Sequence, residues 1–213
     1  DGFMAFTETL GLAPQTPTWS LPISDNDAAW AQSQMSDKPT LIVAPAASKA
    51  FKNWTAEGYA GVIEHAIEKG FDVILAGGPG KIEIELGQAI EQQLTHPVKN
   101  LIGKTTLLQL LALEKEAALV LAPDSGPAHL ANAVNTPVIG LYAHHNPART
   151  GPYNWRQYVV SAYDEAIKAE TGQLASEVSW RTRVKDPDAM QRITIDHVIA
   201  RFDEVVEKEG LCS

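Results

Sequence analysis

Thiols are almost missing from this sequence, which has one cysteine, Cys212, among 213 residues. A single cysteine excludes an intrachain disulfide and a metal site built on several thiolates, and this usage fits a reducing compartment. Long apolar runs are missing too, since none approaches the roughly 20 residues of a membrane-spanning helix. The sequence therefore excludes a transmembrane protein.

Basic residues are scarce: 17 Lys and Arg stand against 26 Asp and Glu, which gives a net charge of -9. Proteins that bind nucleic acids neutralise phosphates with clustered cations, so we expect no nucleic-acid partner. A local basic pocket for one small anion is compatible with this balance. Glycine and proline, at 15 and 13 residues, are not enriched, and 45% hydrophobic residues suffice for a buried core.

The first forty residues differ in character from the rest. The chain begins at Asp1 with neither an initiator methionine nor a signal peptide, so we expect the C-terminal part of a longer protein. Residues 3–10 have the pattern of the end of an amphipathic helix that Gly11 closes. Prolines spread over residues 11–39 predict an extended connector with one short helix at 27–34.

From Thr40 onward, short apolar runs alternate with amphipathic segments. Strands that are apolar on both faces need cover on both faces, which crossover helices provide. The pattern predicts an α/β fold with a Rossmann-like, doubly wound parallel sheet. The predicted strands are 40–44, 72–76, 98–102, 118–122, 137–142 and a short sixth near 157–161. The predicted helices are 55–69, 81–94, 105–116 with Thr105 as cap, 126–134 and 190–209, and the polar span 162–188 has no assigned element.

Ligands of open parallel sheets bind beyond the carboxyl ends of the strands, so the loops there form the candidate site. The first of them, residues 44–54, carries Ser48, Lys49 and Lys52 just before a helix. Its small side chains and its cations suit an anion. An ordinary loop with solvated lysines would have the same sequence, and both interpretations stay open.

The second loop, residues 76–81, contains Gly77 and Gly78. These glycines permit a positive φ and the close approach of a ligand, although a tight strand-to-helix turn explains them equally well. The loop has neither the G-x-G-x-x-G pattern nor a Gly-Lys-Ser/Thr phosphate loop. G-x-G-x-x-G is also absent after the first strand, which disfavours an NAD-dependent dehydrogenase.

The third loop, within residues 122–137, gives the strongest signal. Asp124, Ser125 and Gly126 stand where the fourth strand meets a helix, and His129 follows one turn later. Ser125 is predicted to cap that helix, whose first amides and dipole would attract an anion. Simple capping and a packed core histidine are the alternatives, but the combination at a strand end favours ligand binding.

The fourth loop, residues 141–155, includes the adjacent His144 and His145 together with Arg149 and Tyr153. Adjacent histidines rarely point at one metal ion, and no H-E-x-x-H motif accompanies them, so we predict a substrate-orienting loop and no metal. The sequence lacks the nucleophile elbow G-x-S-x-G, and the pair of Ser125 and His129 has no orienting partner. A hydrolytic triad is therefore disfavoured.

Taken together, these motifs resemble glycosyltransferase family 9, the ADP-heptose:lipopolysaccharide heptosyltransferases. The family pattern Asp-(Ser/Thr)-Gly-x-x-His is matched by the Asp124–His129 segment, and a Lys-x-Trp pattern by Lys52 and Trp54. The glycine-rich turn 76–79 follows in the right order, and the resemblance covers about residues 40–155.

The resemblance implies the C-terminal half of a GT-B fold, in which two Rossmann-like domains face each other across a cleft. Residues 1–39 would connect it to a missing N-terminal domain, and residues 40–213 would bind a nucleotide sugar. The implied reaction is an inverting transfer from a donor such as ADP-heptose to a lipopolysaccharide core acceptor, without metal or cofactor. The general base, and any peripheral contact with a membrane, would belong to the missing domain, at the cytoplasmic face of the inner membrane. This piece alone is expected to bind an ADP-sugar weakly and to transfer nothing.

The resemblance also implies roles for individual residues. Ser48 and Lys52 would contact the diphosphate, and Lys52 would offset the charge that grows on the leaving group. The phosphates and sugar would be held by Asp124, Ser125, Gly126 and His129, and the nucleoside would be lined by backbone near 102–107 and by Gly77 and Gly78.

The sequence departs from the family pattern at three places. Residues 143–145, Ala-His-His, stand where the family has Gly-x-Thr, and Thr55 replaces a proline. The acidic residue after the glycine-rich turn is replaced by Lys81 or displaced to Glu83. Another GT-B enzyme, such as a UDP-sugar-using transferase or epimerase, and a non-catalytic ligand-binding module are the alternatives.

Overall fold

Six parallel strands form the centre of the molecule, which a computed structural model describes over residues 2–13 and 17–211. The strands are β1 Thr40–Val43, β2 Asp72–Leu75, β3 Lys99–Asn100, β4 Leu119–Pro123, β5 Val138–Tyr142 and β6 Val160–Ser161. They lie in the order β3-β2-β1-β4-β5-β6, so the strand order reverses between β1 and β4. The predicted doubly wound parallel sheet is confirmed.

Helices cover both faces of the sheet. They are α1 Gly2–Thr9, α2 Asp25–Gln34, α3 Ala56–Glu68, α4 Lys81–Glu91, α5 Leu107–Glu116, α6 Gly126–Ala133, α7 Pro147–Thr150, α8 Tyr163–Thr171 and α9 Ile195–Glu209. Short 3₁₀ turns occupy Ala50–Lys52, Arg156–Tyr158 and Ala189–Arg192. Among the helices so described, none combines the length and apolarity needed to cross a bilayer.

Two separate hydrophobic clusters result from the alternation of side chains along the strands. Leu41 and Val43 of β1 enter the cluster beneath α3 and α9, whereas Ile42 enters the cluster beneath α2, α5 and α6. All positions of β1, β4 and β5 are buried, as their apolar sequences predict.

The short helix of the predicted connector packs onto the sheet-bearing part of the chain. Ser24 caps α2, whose Ala31 is fully buried in the second cluster, and α2 lies against α5. Lys99 Nζ donates to the carbonyl of Gln34 at 2.6 Å. At the amino terminus, Gly11 follows α1 with a φ of 79°, the conformation predicted for a helix end.

Several predicted boundaries are wrong. The strand predicted at 98–102 is shorter in the structure, where β3 covers only Lys99–Asn100. These residues lie at the edge of the sheet and are at most half buried. Thr106, not Thr105, caps α5, since its Oγ1 accepts from the amide of Gln109 at 3.1 Å. The terminal helix starts only at Ile195, after Thr194 and a separate 3₁₀ turn. Cys212 lies outside the described residues.

Candidate functional site

The loops after β1 and β4 meet at the reversal of strand order, which is where open α/β sheets bind ligands. Lys52 Nζ lies 2.7 Å from Asp124 Oδ2 and 3.3 Å from the carbonyl oxygen of Asp124. The side chains of Lys52 and Asp124 are only 18% and 13% exposed. Two predicted site residues from distant loops therefore form one partly buried ion pair.

Lys52 is held in place by its neighbours in the first loop. The indole Nε1 of buried Trp54 donates to the carbonyl of Ile193 at 2.9 Å, and its ring packs against Tyr59. Asn53 Oδ1 accepts from the amide of Ala47 at 2.7 Å, which closes the turn. These contacts fix the backbone on both sides of Lys52, so its ammonium group is positioned by the fold.

His145, which follows β5, joins the same carboxylate. Its Nδ1 lies 2.5 Å from Asp124 Oδ2, the oxygen that Lys52 also contacts. Because an ionised carboxylate only accepts, Nδ1 carries the proton of this contact. Burial lowers the pKa of His145, Asp124 opposes that change, and the charges of Lys52 and Arg183 add to the lowering. The lowered pKa favours the neutral imidazole at neutral pH.

His144 and His145 point to different places. His144 is buried, with Nε2 at 2.8 Å from the carbonyl oxygen of Phe51 and Nδ1 at 3.2 Å from that of Val184. In the described part of the chain, no group of three or more His, Asp or Glu side chains is arranged to hold a metal ion. His144 thus braces the turn beside Lys52.

Arg183 is a site residue that the sequence did not reveal. The chain at Arg183 pairs with His145 in an isolated antiparallel bridge, and the amide of Val184 donates to the carbonyl of His144 at 3.0 Å. This pairing brings an exposed guanidinium close enough to influence His145. The span 162–188 has no clear periodicity, so no sequence signal pointed to it.

The amino end of α6 opens toward solvent. The predicted capping by Ser125 is wrong, since its Oγ donates back to the carbonyl of Pro123 at 3.1 Å and accepts no helix amide. A Cβ placed on Gly126 would meet no atom of the described residues within 4 Å, so they leave space in front of the first turn. An anion could occupy that space and accept from the free amides.

Ser48, Lys49 and His129 are exposed. Exposure excludes the alternative of His129 as a packed core histidine. Ser48 lies in the same loop as Lys52, and His129 lies in the first turn of α6. Their contacts with a ligand stay predictions.

The glycine-rich turn after β2 is held by hydrogen bonds to the side chain of Glu83. Glu83 Oε1 accepts from the amide of Gly78 at 3.0 Å, and its Oε2 accepts from the amide of Gly80 at 2.9 Å. Neither Gly77 nor Gly78 adopts a positive φ, so a left-handed backbone conformation does not explain these glycines. A Cβ on Gly78 would lie 2.8 Å from Glu83 Oε1, and this close approach explains that glycine. The lining of a nucleoside by Gly77 and Gly78 stays a prediction.

Part of the fourth loop is helical. Asn146 caps α7 by accepting from the amide of Ala148 at 2.9 Å, and Tyr142 donates its hydroxyl to the carbonyl of Thr150 at 3.1 Å. The guanidinium of Arg156 lies over the ring of Tyr153, 4.4 Å from its centre. These contacts order the loop that carries His145.

A cavity of about 430 Å³ lies at the opposite edge of the sheet, beside the amino ends of β1 and β2. Lys38 in its lining lies 3.7 Å from Asp72, and Lys99 donates to Gln34. Because ligands of open parallel sheets bind beyond the carboxyl ends of the strands, this cavity at the amino ends is disfavoured and the Lys52 side is favoured as the ligand site.

Known proteins resemble this chain along most of its length. The family model described as glycosyltransferase family 9 (heptosyltransferase) matches residues 1–180. The lipopolysaccharide core heptosyltransferase OpsX of Haemophilus influenzae is 42% identical over 206 residues, which cover 96% of this chain and 59% of that protein. The chain thus spans less than two thirds of this curated relative.

Solved structures share the fold. A family 9 glycosyl transferase from Veillonella parvula superposes with a TM-score of 0.77 at 20% identity, covering 97% of this chain and 59% of that one. The Escherichia coli ADP-heptose lipopolysaccharide heptosyltransferase II gives a TM-score of 0.67 at 23% identity, with 93% and 55% coverage. The Rossmann-like sheet is thus the one found in GT-B heptosyltransferases.

Proposed function

This chain belongs to glycosyltransferase family 9, the heptosyltransferases, and we propose that it is the donor-binding part of a lipopolysaccharide heptosyltransferase. ADP-heptose is the proposed donor and a sugar of the lipopolysaccharide core is the proposed acceptor. The name of the 42% identical relative supports the acceptor, and the name of the Escherichia coli structure supports the donor.

One observation carries this proposal: the ammonium group of Lys52 is held by Asp124 beside the open amino end of α6. A diphosphate placed there would meet a cation on one side and helix amides on the other. Asp124 is itself an anion, so it serves best by orienting Lys52, while the phosphates take the ammonium and the amides.

The chemistry follows from this charge distribution. In an inverting transfer, the acceptor hydroxyl attacks the anomeric carbon while the bond from that carbon to the diphosphate oxygen breaks. Negative charge then grows on the leaving diphosphate, and Lys52 with the first turn of α6 stabilises it in the transition state. The proton of the acceptor hydroxyl goes to a general base that we assign to a part of the enzyme outside this chain.

The domain organisation is part of the same proposal. Residues 40–213 form the nucleotide-sugar domain, and residues 1–39 lead to it from an N-terminal domain that carries the base and the acceptor site. Any contact with the inner face of the cytoplasmic membrane belongs to that domain. The chain by itself should therefore bind donor without transferring its sugar.

Titration calorimetry with ADP and UDP tests the binding role. We expect ADP to bind better than UDP, and Lys52→Ala to weaken ADP binding about tenfold or more, since a charge-assisted contact contributes ~1.5–3 kcal/mol. Lys49→Ala, which removes an exposed lysine from the same loop, is the matched control and should change the affinity little. Failure of both nucleotides to bind at millimolar concentration would refute the proposal.

A further inference from the structure

One carboxylate oxygen in the site contacts two side-chain nitrogens. Asp124 Oδ2 lies 2.7 Å from Lys52 Nζ and 2.5 Å from His145 Nδ1, so both groups sit within hydrogen-bonding distance of a single atom. The consequence of this shared contact concerns the charge of the site.

The groups that face His145 come from three elements. Asp124 comes from the turn before α6, Lys52 from the first 3₁₀ turn, and Arg183 from the segment paired with His145. His144, next in sequence, points away from this carboxylate, with its Nε2 2.8 Å from the carbonyl oxygen of Phe51. With a neutral imidazole the cluster carries two cations and one anion, which leaves less positive charge than a diphosphate carries negative charge.

The second ring nitrogen of His145 is available. Within residues 2–13 and 17–211, Nε2 has no hydrogen-bond partner, and the side chain is 17% exposed. While Nδ1–H donates to Asp124, an unprotonated Nε2 presents a lone pair, which repels an approaching phosphate oxygen. A proton on Nε2 converts that repulsion into a charge-assisted hydrogen bond.

We propose that His145 takes up a proton when a nucleoside diphosphate binds, and that its imidazolium then becomes a further cationic partner of the leaving diphosphate beside Lys52. The proton comes from solvent, enters at Nε2 and leaves when the nucleotide dissociates. Asp124 stabilises the charged ring through Nδ1 and links it to Lys52. This inference rests on the proposed function, because it requires a diphosphate in the same site.

The lowered pKa of His145 supports this linkage, because the free site then starts with a neutral ring that an incoming anion can charge. If ADP binding takes up one proton, the association constant for ADP falls about tenfold for each unit that the pH rises. This slope holds between the pKa of His145 in the free site and its pKa in the ADP-bound site.

The test is calorimetry of ADP binding near neutral pH in two buffers of different ionisation enthalpy, which measures the protons taken up on binding. We expect the wild-type chain to take up close to one proton more than His145→Asn, whose amide can still donate to Asp124. The titrating phosphate of ADP contributes equally to both proteins and cancels in the difference. His197→Asn, which removes an exposed histidine at the start of α9, should behave as wild type.

His145→Lys supplies a fixed cation as a second variant. It should bind ADP without extra proton uptake and with a flatter dependence on pH. Equal proton uptake by the wild type and both His145 variants would overturn the inference and leave the proposed function intact. Absence of ADP binding by the wild-type chain would instead refute the proposed function itself.

Discussion

At the scale of single residues, the site depends on the pairing of Lys52 with Asp124. Each of Lys52→Ala and Asp124→Ala should lower the free energy of unfolding by about 1–3 kcal/mol, because each leaves a partly buried charge without its partner. The double variant should lose less than the sum of the two, with a coupling of ~1 kcal/mol. Urea unfolding of the four proteins measures this. Additive losses would show that the two side chains do not stabilise each other.

Some of these residues can be predicted from their position after a strand, whereas others depend on contacts that the sequence does not show. Lys52 and Asp124 follow apolar strands, and topology brings such strand ends together, so both were predicted. His145 was noted only as half of a histidine pair, because its contact with Asp124 depends on the side-chain directions of two different loops. The predicted capping by Ser125 was wrong, since a serine hydroxyl has several backbone partners within reach.

At the scale of elements, α3 and the turn that carries Lys52 share one tight contact. A Cβ on Gly58 would lie 2.5 Å from the Trp54 ring, so the indole would have to move, and the 3₁₀ turn with it. Gly58→Ala should therefore destabilise the fold by more than ~1 kcal/mol, although alanine has the better helix propensity. It should also weaken ADP binding.

Gly61→Ala is the matched control on the same helix. The three atoms nearest to its Cβ would all belong to the side chain of Ile195, the first at 3.0 Å, and that side chain can yield by a small shift. Thermal unfolding and ADP calorimetry of both variants measure the difference. A Gly58→Ala protein that is as stable as Gly61→Ala, with unchanged ADP affinity, would contradict the positioning role of Trp54.

Helix α5 contains a buried acid that should make stability depend on pH. Glu114 is fully buried, its carboxyl oxygens have no hydrogen-bond partner among the described residues, and burial raises its pKa well above the usual value. Above pH ~4.5 the unfolded chain ionises this group while the folded chain keeps it neutral, so its contribution to stability falls as pH rises.

Glu114→Gln removes this ionisation and should therefore raise the free energy of unfolding at neutral pH and flatten its pH dependence. Glu116→Gln, which changes an exposed acid on the same helix, is the control and should do neither. Urea unfolding at acidic and neutral pH makes the comparison. A loss of stability in Glu114→Gln at neutral pH would mean that the carboxylate has a charged partner in the folded protein.

Elements with a strong hydrophobic pattern were predictable, and the others were not. β1, β4 and β5 are buried on both faces, and their apolar runs marked them clearly. β3 lies at the edge with half-exposed residues, so its predicted length was too great. Helix α8 buries only Tyr163, Ala166 and Ile167 along an otherwise polar segment, and this short stripe gave too weak a period.

At the scale of the whole molecule, the strand order decides where function can lie. The reversal between β1 and β4 places the first and third loops side by side and leaves their helix starts facing one space. The fold class followed from the alternation of strands and helices, and the same alternation predicts that the site lies at this reversal. The docking of α2 onto α5 did not follow, since the sequence predicted this short helix but placed it in an extended, proline-rich connector.

The proposed function requires a diphosphate to bind between Lys52 and the start of α6. A crystal structure of this chain with ADP would show where the phosphates lie. We expect phosphate oxygens within about 3 Å of Lys52 Nζ and of the first α6 amides, with Asp124 still contacting the lysine. ADP bound instead in the cavity beside Lys38 and Lys99, or phosphates turned away from Lys52, would contradict the proposed function.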